Sequence, residues 1–268
     1  MPKSPSLARK LRKKYTIIFY SAALIIPLIF IKYFIIEPLG LSIITLNNLV
    51  TAFLGGVFFT IGILFAGAAT DFKEAEKMPG ELATLLKSLY KDTVVIPTKA
   101  LYLENIRTNI QDLLAAINSN FLQHGFKLKE IDIIIDKIYS DMGVLSRNGV
   151  PLNYLIKMGN ELTAIDRIAH RIDVIKETTF IPAAYTIAEI SVGSMLFILM
   201  LLKTEPAYES IIILVATSIV LISLLILIKD MDNPFRGFAT VDLEVLFSLE
   251  SYWKKQGPKI ETDLSAKN

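Results

Sequence analysis

Glu189 is the one acidic side chain well inside a long apolar stretch of this sequence, FIPAAYTIAEISVGSMLFILMLL (180–202). A helix that begins near Phe180 carries Glu189 about 13.5 Å along its axis, close to the middle of a bilayer. A charged side chain at that depth costs roughly 2.5–3.5 kcal/mol on insertion scales. Two interpretations remain open. Glu189 is either a protonated or hydrogen-bonded structural group, or a carboxylate that faces an ion path or a water-filled cavity.

The rest of the chain shows no recognisable catalytic or metal-binding pattern. The absence of cysteine excludes disulfides, thiolate nucleophiles and cysteine-ligated zinc. There is no G-x-x-x-x-G-K-[ST] phosphate loop, no H-E-x-x-H, no G-x-S-x-G and no EF-hand loop. We expect His170 to be solvated or held by a neighbouring group, and Asp132 with Asp136 to form a hydrated surface. We therefore expect no enzyme, no cofactor and no bound metal.

Composition indicates a chain with lipid-embedded and water-facing parts. Hydrophobic residues make up 53% of the 268 positions, yet 20% are charged. The net charge of +2 is too small to indicate nucleic-acid binding, and no basic patch is interleaved with aromatic residues.

Four apolar runs are long enough to cross a bilayer, which takes about 20 helical residues. They cover residues 15–36, 46–70, 180–202 and 208–228. The first run is too long for a signal-peptide core of about 7–15 residues, and no small-residue cleavage site follows it. Pro27 is a position at which this first helix can kink.

The distribution of Lys and Arg sets the orientation of these spans. The links 37–45 and 203–209 together carry one lysine, whereas the N-terminus, residues 71–179 and the C-terminal tail carry many basic residues. The positive-inside rule therefore places both termini and the long middle segment in the cytoplasm. The predicted organisation is a basic N-terminus (1–14), a first transmembrane hairpin (15–70), a cytoplasmic helical domain (71–179), a second hairpin (180–228) and a cytoplasmic C-terminal segment (229–268).

The middle segment has the three-and-four spacing of helices, for example in ALYLENIRTNIQDLLAAINSNF (100–121). Breaks divide it into about four helices and are predicted at Pro79-Gly80, Pro97, Gly125 and Gly149-Val150-Pro151. Ile131, Ile133, Ile134 and Ile135 nearly encircle their helix, which predicts burial on more than one side. The covering surface is either the core of one subunit or a contact between subunits.

The second span combines small and large apolar residues. Its glycines are Gly55, Gly56, Gly62 and Gly67, and its large residues include Val57, Phe58, Phe59, Ile63 and Phe65. Small residues let helix backbones approach closely, so tight packing within one subunit is one interpretation. The alternative is a helix on a symmetry axis that presents rings of apolar side chains, which can gate a pore by dewetting.

Three short motifs resemble those of bestrophin channels, in the same order relative to the spans. IPAAYT (181–186) resembles the I-P-x-x-Y-T that opens a bestrophin membrane helix, and NPFRG (233–237) resembles N-P-F-G with one inserted residue. TDF (70–72) followed by EKMP (76–79) resembles T-R-W and E-N-L-P. The resemblance covers most of residues 15–250 and is that of a divergent prokaryotic branch. It implies an all-α membrane protein with two transmembrane hairpins flanking a cytoplasmic helical domain.

The resemblance further implies a homopentameric channel whose second helix lines a hydrophobic neck. Aligned on Thr70-Asp71-Phe72, the neck positions are Gly55, Phe59 and Ile63. Aligned on Pro79, they are Leu54, Phe58 and Gly62. The two registers differ by one residue, about 100° of helix, and both place a phenylalanine at the centre and a glycine at an outer position.

Departures from the bestrophin pattern concern selectivity and gating. Asp71 stands where chloride-conducting members have arginine, and a ring of carboxylates favours cations. Asp71 and Glu189 are therefore the selectivity candidates, with the sign of the ion open. The turn motif keeps Asn233, Pro234, Phe235 and Gly237.

Calcium-activated members carry a run of acids directly after this turn. Here only Asp242 and Glu244 follow, as a remnant of that calcium clasp. Calcium binds six to eight oxygen ligands, so we expect no calcium gating.

The resulting expectation is a passive channel for small monovalent ions in a prokaryotic cytoplasmic membrane. Its partners are the lipid bilayer, permeant ions and further copies of the same chain, and nucleic acid is not among them. The alternative is a non-conducting membrane scaffold or receptor whose cytoplasmic helices bind a partner.

Overall fold

The structure is a computed structural model that describes residues 7–96, 98, 100–122, 127–177, 182–235 and 240–265. Its helices are α1 (Leu7–Ile31), a π-helical turn (Lys32–Ile36), α2 (Asn48–Val95), α3 (Ala100–Leu122), α4 (Leu128–Arg147), α5 (Leu152–Glu177), α6 (Pro182–Met200), α7 (Ala207–Met231) and α8 (Glu244–Ser265). The described residues also form two short strands, β1 (Ile44–Thr45) and β2 (Leu202–Lys203).

The chain divides into two compact units. One comprises residues 1–72 and 179–240, called here the membrane unit, and the other comprises 73–178 and 241–268, called the helical unit. The boundary between residues 72 and 73 falls inside α2.

Among the described residues, four helical segments are long and apolar enough to cross a membrane, which confirms the predicted all-α membrane architecture. They are Thr16–Ile36, Asn48–Val95, Ala183–Met200 and Ala207–Met231. Both ends of three of these segments lie within a few residues of the predicted spans. The fourth, α2, begins where predicted but continues far beyond residue 70.

The core of the membrane unit is built from apolar stripes on α2, α6 and α7. The α2 stripe includes Val57, Ile61, Leu64 and Ala68, spaced by three and four. Facing residues are Ala188, Val192, Met195 and Leu199 of α6 and Leu214, Leu221 and Ile228 of α7. The two hairpins also interlock, because α1 lies along α7. The Ser223 hydroxyl donates to Ser21 Oγ at 2.8 Å between these two helices.

A buried lysine joins the two hairpins. Lys32, at the end of the first span, is fully buried, and its Nζ donates to the carbonyl oxygens of Leu199, Met200 and Leu202 at 3.3, 3.1 and 2.8 Å. Beside it, β1 pairs in parallel with β2, with Ile44 opposite Leu202. The last carbonyls of α6 have no partner within their own helix, so the ammonium group satisfies acceptors that lie in an apolar environment.

The helical unit packs α3 against α4 and α8, and α4 against α5. The predicted apolar stripe of α3 is confirmed, since Ile106, Ile110, Leu113, Leu114 and Ile117 are all fully buried. Between α3 and α8, Asn118 Nδ2 donates to Glu250 Oε2 at 2.6 Å. Tyr90 of α2 stacks on Trp253 of α8 with ring centroids 4.8 Å apart.

The predicted break at Pro79-Gly80 is wrong, because α2 continues through it to Val95. A buried stripe of Ala75, Met78, Leu82, Leu86 and Leu89 runs across the proline at helical spacing. Packing of this stripe outweighs the loss of one backbone hydrogen bond, which costs about 3 kcal/mol in a helix interior.

The break predicted at Gly149-Val150-Pro151 agrees with the helix bounds, since α4 ends at Arg147 and α5 begins at Leu152. Pro97 and Gly125 lie outside the described residues, between α2 and α3 and between α3 and α4. Gly149 follows α4 with a φ of +80°, a conformation that favours glycine. Within the part of the chain that the structure describes, α4 is not buried all round: Ile131 and Ile135 are buried, but Ile133 is 47% exposed.

Candidate functional site

The membrane-spanning part of α2 has one buried and one exposed face. Val57 and Ile61 are 3% and 0% exposed, whereas Phe59 and Ile63 are 71% and 57% exposed. Because successive residues turn by about 100°, Phe59 lies roughly 160° from both Val57 and Ile61 around the helix. The side chains of Phe59 and Ile63 therefore point away from the core of the membrane unit.

Most other residues on this exposed face are small. Ala52, Gly55, Gly62, Ala66 and Thr70 are all exposed. A Cβ atom at Gly55, Gly56 or Gly62 would meet nothing within 4 Å, so the packing of the described chain does not require glycine at these positions. Tight packing within one subunit, one of the two sequence interpretations, does not explain these three glycines.

The residues of the alternative neck register lie differently. Leu54 and Phe58 are partly buried and pack against the core of the membrane unit, and only Gly62 of that set is exposed. The set of Gly55, Phe59 and Ile63 leaves all three positions accessible.

Glu189 forms an ion pair with Lys229 of α7. Both side chains are about half exposed, and Lys229 lies in the last turn of its helix. Glu189 lies seven residues after Pro182, about 10 Å along α6. A carboxylate with a cationic partner at the end of the hairpin differs from the isolated group near the middle of the bilayer that the sequence suggested.

Asp71 is exposed and lies near Tyr185 of α6. The carboxylates of Asp232 and Asp71 are both close enough to act electrostatically on the Tyr185 hydroxyl. Asp71 is rotated about 120° from Phe59 around α2. No sequence pattern indicates this common proximity of Asp71 and Asp232 to Tyr185.

The turn after α7 follows the predicted helix end. α7 stops at Met231, Asn233 is exposed, Pro234 is buried and Phe235 is half-buried. Gly237 lies outside the described residues.

The two acids after this turn act at the start of α8. Asp242 Oδ1 accepts a hydrogen bond from the Glu244 backbone N–H at 2.9 Å, and Glu244 lies in the first turn of α8. Acidic groups stabilise a helix N-terminus in this way, which accounts for both residues without calcium.

The helical unit contains a cluster of charged groups between α2 and α5. Lys157 Nζ lies 2.6 Å from Asp92 Oδ1 and 3.6 Å from Glu161 Oε1, and the Ser88 hydroxyl donates to Glu161 Oε1 at 2.6 Å. Burial raises the pKa of the Glu161 carboxyl, and the hydrogen bond from Ser88 opposes that shift. The hydrogen bond to Asp92 raises the pKa of Lys157.

The burial of Lys32 is a feature that the sequence does not predict. Its signal was a single lysine inside the first apolar run, five residues after Pro27. Since a lysine near the end of a span commonly extends to the membrane surface, the sequence alone did not distinguish that arrangement from burial against α6.

The sequence matches no protein-family model and no curated protein. Its structure is similar to solved membrane proteins. A point mutant of a bacterial bestrophin homologue from Klebsiella pneumoniae shares 17% identity at a TM-score of 0.67, with 88% of this chain and 96% of that chain covered. A second point mutant of that homologue shares 16% identity at a TM-score of 0.69, with 87% of this chain and 96% of that chain covered. A mutant of a membrane protein shares 15% identity at a TM-score of 0.72, with 90% of this chain and 97% of that chain covered.

The fold therefore defines an all-α integral membrane protein. More specifically, it is a bestrophin-like fold, as the three motifs predicted, at identities that indicate a divergent chain.

Proposed function

We propose that this protein is a passive ion channel in which five copies surround a pore lined by the exposed face of α2. The observation that carries the proposal is the position of Phe59 and Ile63, which project from a face of small residues and away from the core. Small residues allow helices to approach an axis closely. The bestrophin-like fold and motifs support the pentamer and the placement of the neck on this helix.

The proposed neck has two apolar rings. Phe59 and Ile63 are four residues apart, so the ring of five Phe59 side chains and the ring of five Ile63 side chains lie about 6 Å apart along the pore. Gly55 occupies the third position and contributes no side chain, so the neck is shorter than one with three large residues. Apolar rings of this kind restrict ion passage by excluding water when they are narrow.

The proposed selectivity favours small monovalent cations. Asp71 and Asp232 both lie within electrostatic range of the Tyr185 hydroxyl, and a negative field at a pore entrance attracts cations. Glu189 contributes less, because its charge is matched by Lys229.

The proposed location is a prokaryotic cytoplasmic membrane with both termini and the helical unit in the cytoplasm. The support is the excess of lysine and arginine outside the two short links between spans. Exposed apolar residues on α1, such as Phe19 and Phe30, suit contact with lipid.

A second candidate function is a non-conducting scaffold whose helical unit binds another protein. The observation that favours it is a set of exposed apolar residues on α4 and α5, namely Ile133, Ile156 and Val174. In a pentameric channel the same residues would contact a neighbouring subunit.

Two measurements test the channel proposal. Particle symmetry of the purified protein in detergent should be fivefold, and a monomer or dimer would contradict a central pore. Proteoliposomes should release Na⁺ or K⁺ passively. A pentamer that carries no Na⁺, K⁺ or Cl⁻ over a range of pH and calcium concentrations would support the scaffold.

A further inference from the structure

Three potential metal ligands meet between α4 and α5 in the helical unit. Asp132 lies on α4, and Asp166 and His170 lie one turn apart on α5. One ligand atom from each residue lies within 4.8 Å of the others. The sequence showed Asp166 and His170 at a spacing of four, but only the packing of α4 on α5 adds Asp132.

Two of the three groups already contact each other, and the third lies nearby. His170 Nδ1 lies 3.0 Å from Asp166 Oδ1 and 3.1 Å from the Asp166 carbonyl oxygen. Two ligands that each lie about 2.0–2.2 Å from zinc are separated by at most about 4.4 Å. Small side-chain rotations would therefore bring all three atoms into one coordination sphere.

A second observation also indicates a cation. Asp132 Oδ1 is buried and accepts no hydrogen bond from any described residue. This oxygen of Asp132 therefore has no described donor, although the Asp166 carboxylate beside it is held by His170. Arg171, the residue after His170, donates from both its Nε and its Nη2 to Glu74, at 2.9 and 3.0 Å.

We propose that Asp132, Asp166 and His170 form a binding site for a divalent transition-metal ion of the zinc type. Imidazole together with carboxylates suits zinc and its neighbours, whereas magnesium and calcium prefer oxygen ligands alone. Three protein ligands leave a further position for water, and the exposed ring of His170 lies on the solvent side of the group. The bound ion would cross-link α4 to α5, and the site does not depend on ion conduction.

Calorimetry with metal-free, untagged full-length protein in detergent tests the site, with ZnCl₂ as the probe. We expect one Zn²⁺ per chain, and at least a tenfold loss of affinity in Asp132→Asn and in His170→Gln. Asp136→Asn is the matched control, since Asp136 is an exposed acid one turn further along α4, and it should bind Zn²⁺ as the unmodified protein does. Equal affinity in all four proteins, or no binding, would overturn the site.

A spectroscopic readout separates ligation from a general effect on folding. Co²⁺ should give visible d–d absorption in the unmodified protein and in Asp136→Asn, and this absorption should be lost in His170→Gln, whose exposed position makes misfolding a minor concern. Retained absorption in His170→Gln would remove the histidine from the proposal. Tighter binding of Mg²⁺ or Ca²⁺ than of Zn²⁺ would overturn the assigned class of metal.

Discussion

Phe59 and Ile61 are two residues apart on α2 and occupy opposite faces of it. Ile61 is fully buried in the core of the membrane unit, whereas Phe59 is 71% exposed. One face of the helix therefore holds the subunit together, and the other is available to ions, lipid or further copies of the chain. This division allows conduction and stability to be changed separately by mutation.

Phe59→Ala should increase ion flux several-fold, because it removes the larger of the two proposed apolar rings. Flux is measured in proteoliposomes with an ion-sensitive dye. Phe58→Ala is the matched control, since Phe58 is partly buried against the core, and it should reduce thermal stability with little effect on flux per folded channel. If Phe58→Ala alone raises flux, the other register lines the pore.

Asp71→Arg should shift the reversal potential toward anions, because it replaces a negative charge near the proposed pore entrance with a positive one. Bilayer recordings under a KCl gradient measure the shift. Asp112→Arg, an exposed position on α3 of the helical unit, makes the same change in total charge. An unchanged reversal potential in Asp71→Arg would place this residue outside the ion path.

Lys32→Met should destabilise the membrane unit, because three carbonyl groups lose their donor. Each unsatisfied buried acceptor costs about 1–3 kcal/mol. Thermal unfolding in detergent should show a clear fall in Tm. Lys203→Met, an exposed lysine in the neighbouring strand β2, should leave the Tm unchanged. Equal effects of the two substitutions would contradict a specific role for Lys32.

Stability of the helical unit should depend on the ionisation of Glu161. Its folded-state pKa is raised by burial, so this group stabilises the fold fully below its ordinary value of 4.5. That contribution is lost as pH rises through the raised pKa.

Glu161→Gln keeps a hydrogen-bond acceptor for Ser88 and removes the titration. Its free energy of unfolding, relative to that of the unmodified protein, should increase from pH 4 toward neutral pH. Denaturant melts across this range measure the difference. A constant difference would show that Glu161 has an ordinary pKa in the folded protein.

Much of the fold could be predicted because its signals are local. Each membrane span is a continuous apolar run, and the stripe from Ile106 to Ile117 follows the helical period, so both were identified correctly. Pro79 was misjudged because a proline is a local signal for a break, whereas the stripe from Ala75 to Leu89 is buried by distant parts of the chain.

The candidate site was less predictable, because its contacts join residues far apart in sequence. The pairing of Glu189 with Lys229 and the proximity of Asp71 and Asp232 to Tyr185 depend on how the membrane helices pack. The sequence also does not determine which residues of α2 lie on its exposed face, since a one-residue change of register rotates the face by about 100°. Both candidate registers contain a glycine and a phenylalanine, so residue type alone does not distinguish them.

The burial of Lys32 bears on how the chain enters the membrane during its synthesis. Its acceptors lie 167–170 residues further along the chain, a distance that a ribosome covers in roughly 8–35 s. During that interval the first hairpin enters the bilayer with an ammonium group that has none of its final partners. Until the second hairpin is inserted, that group must be held by water or lipid phosphate at the membrane surface.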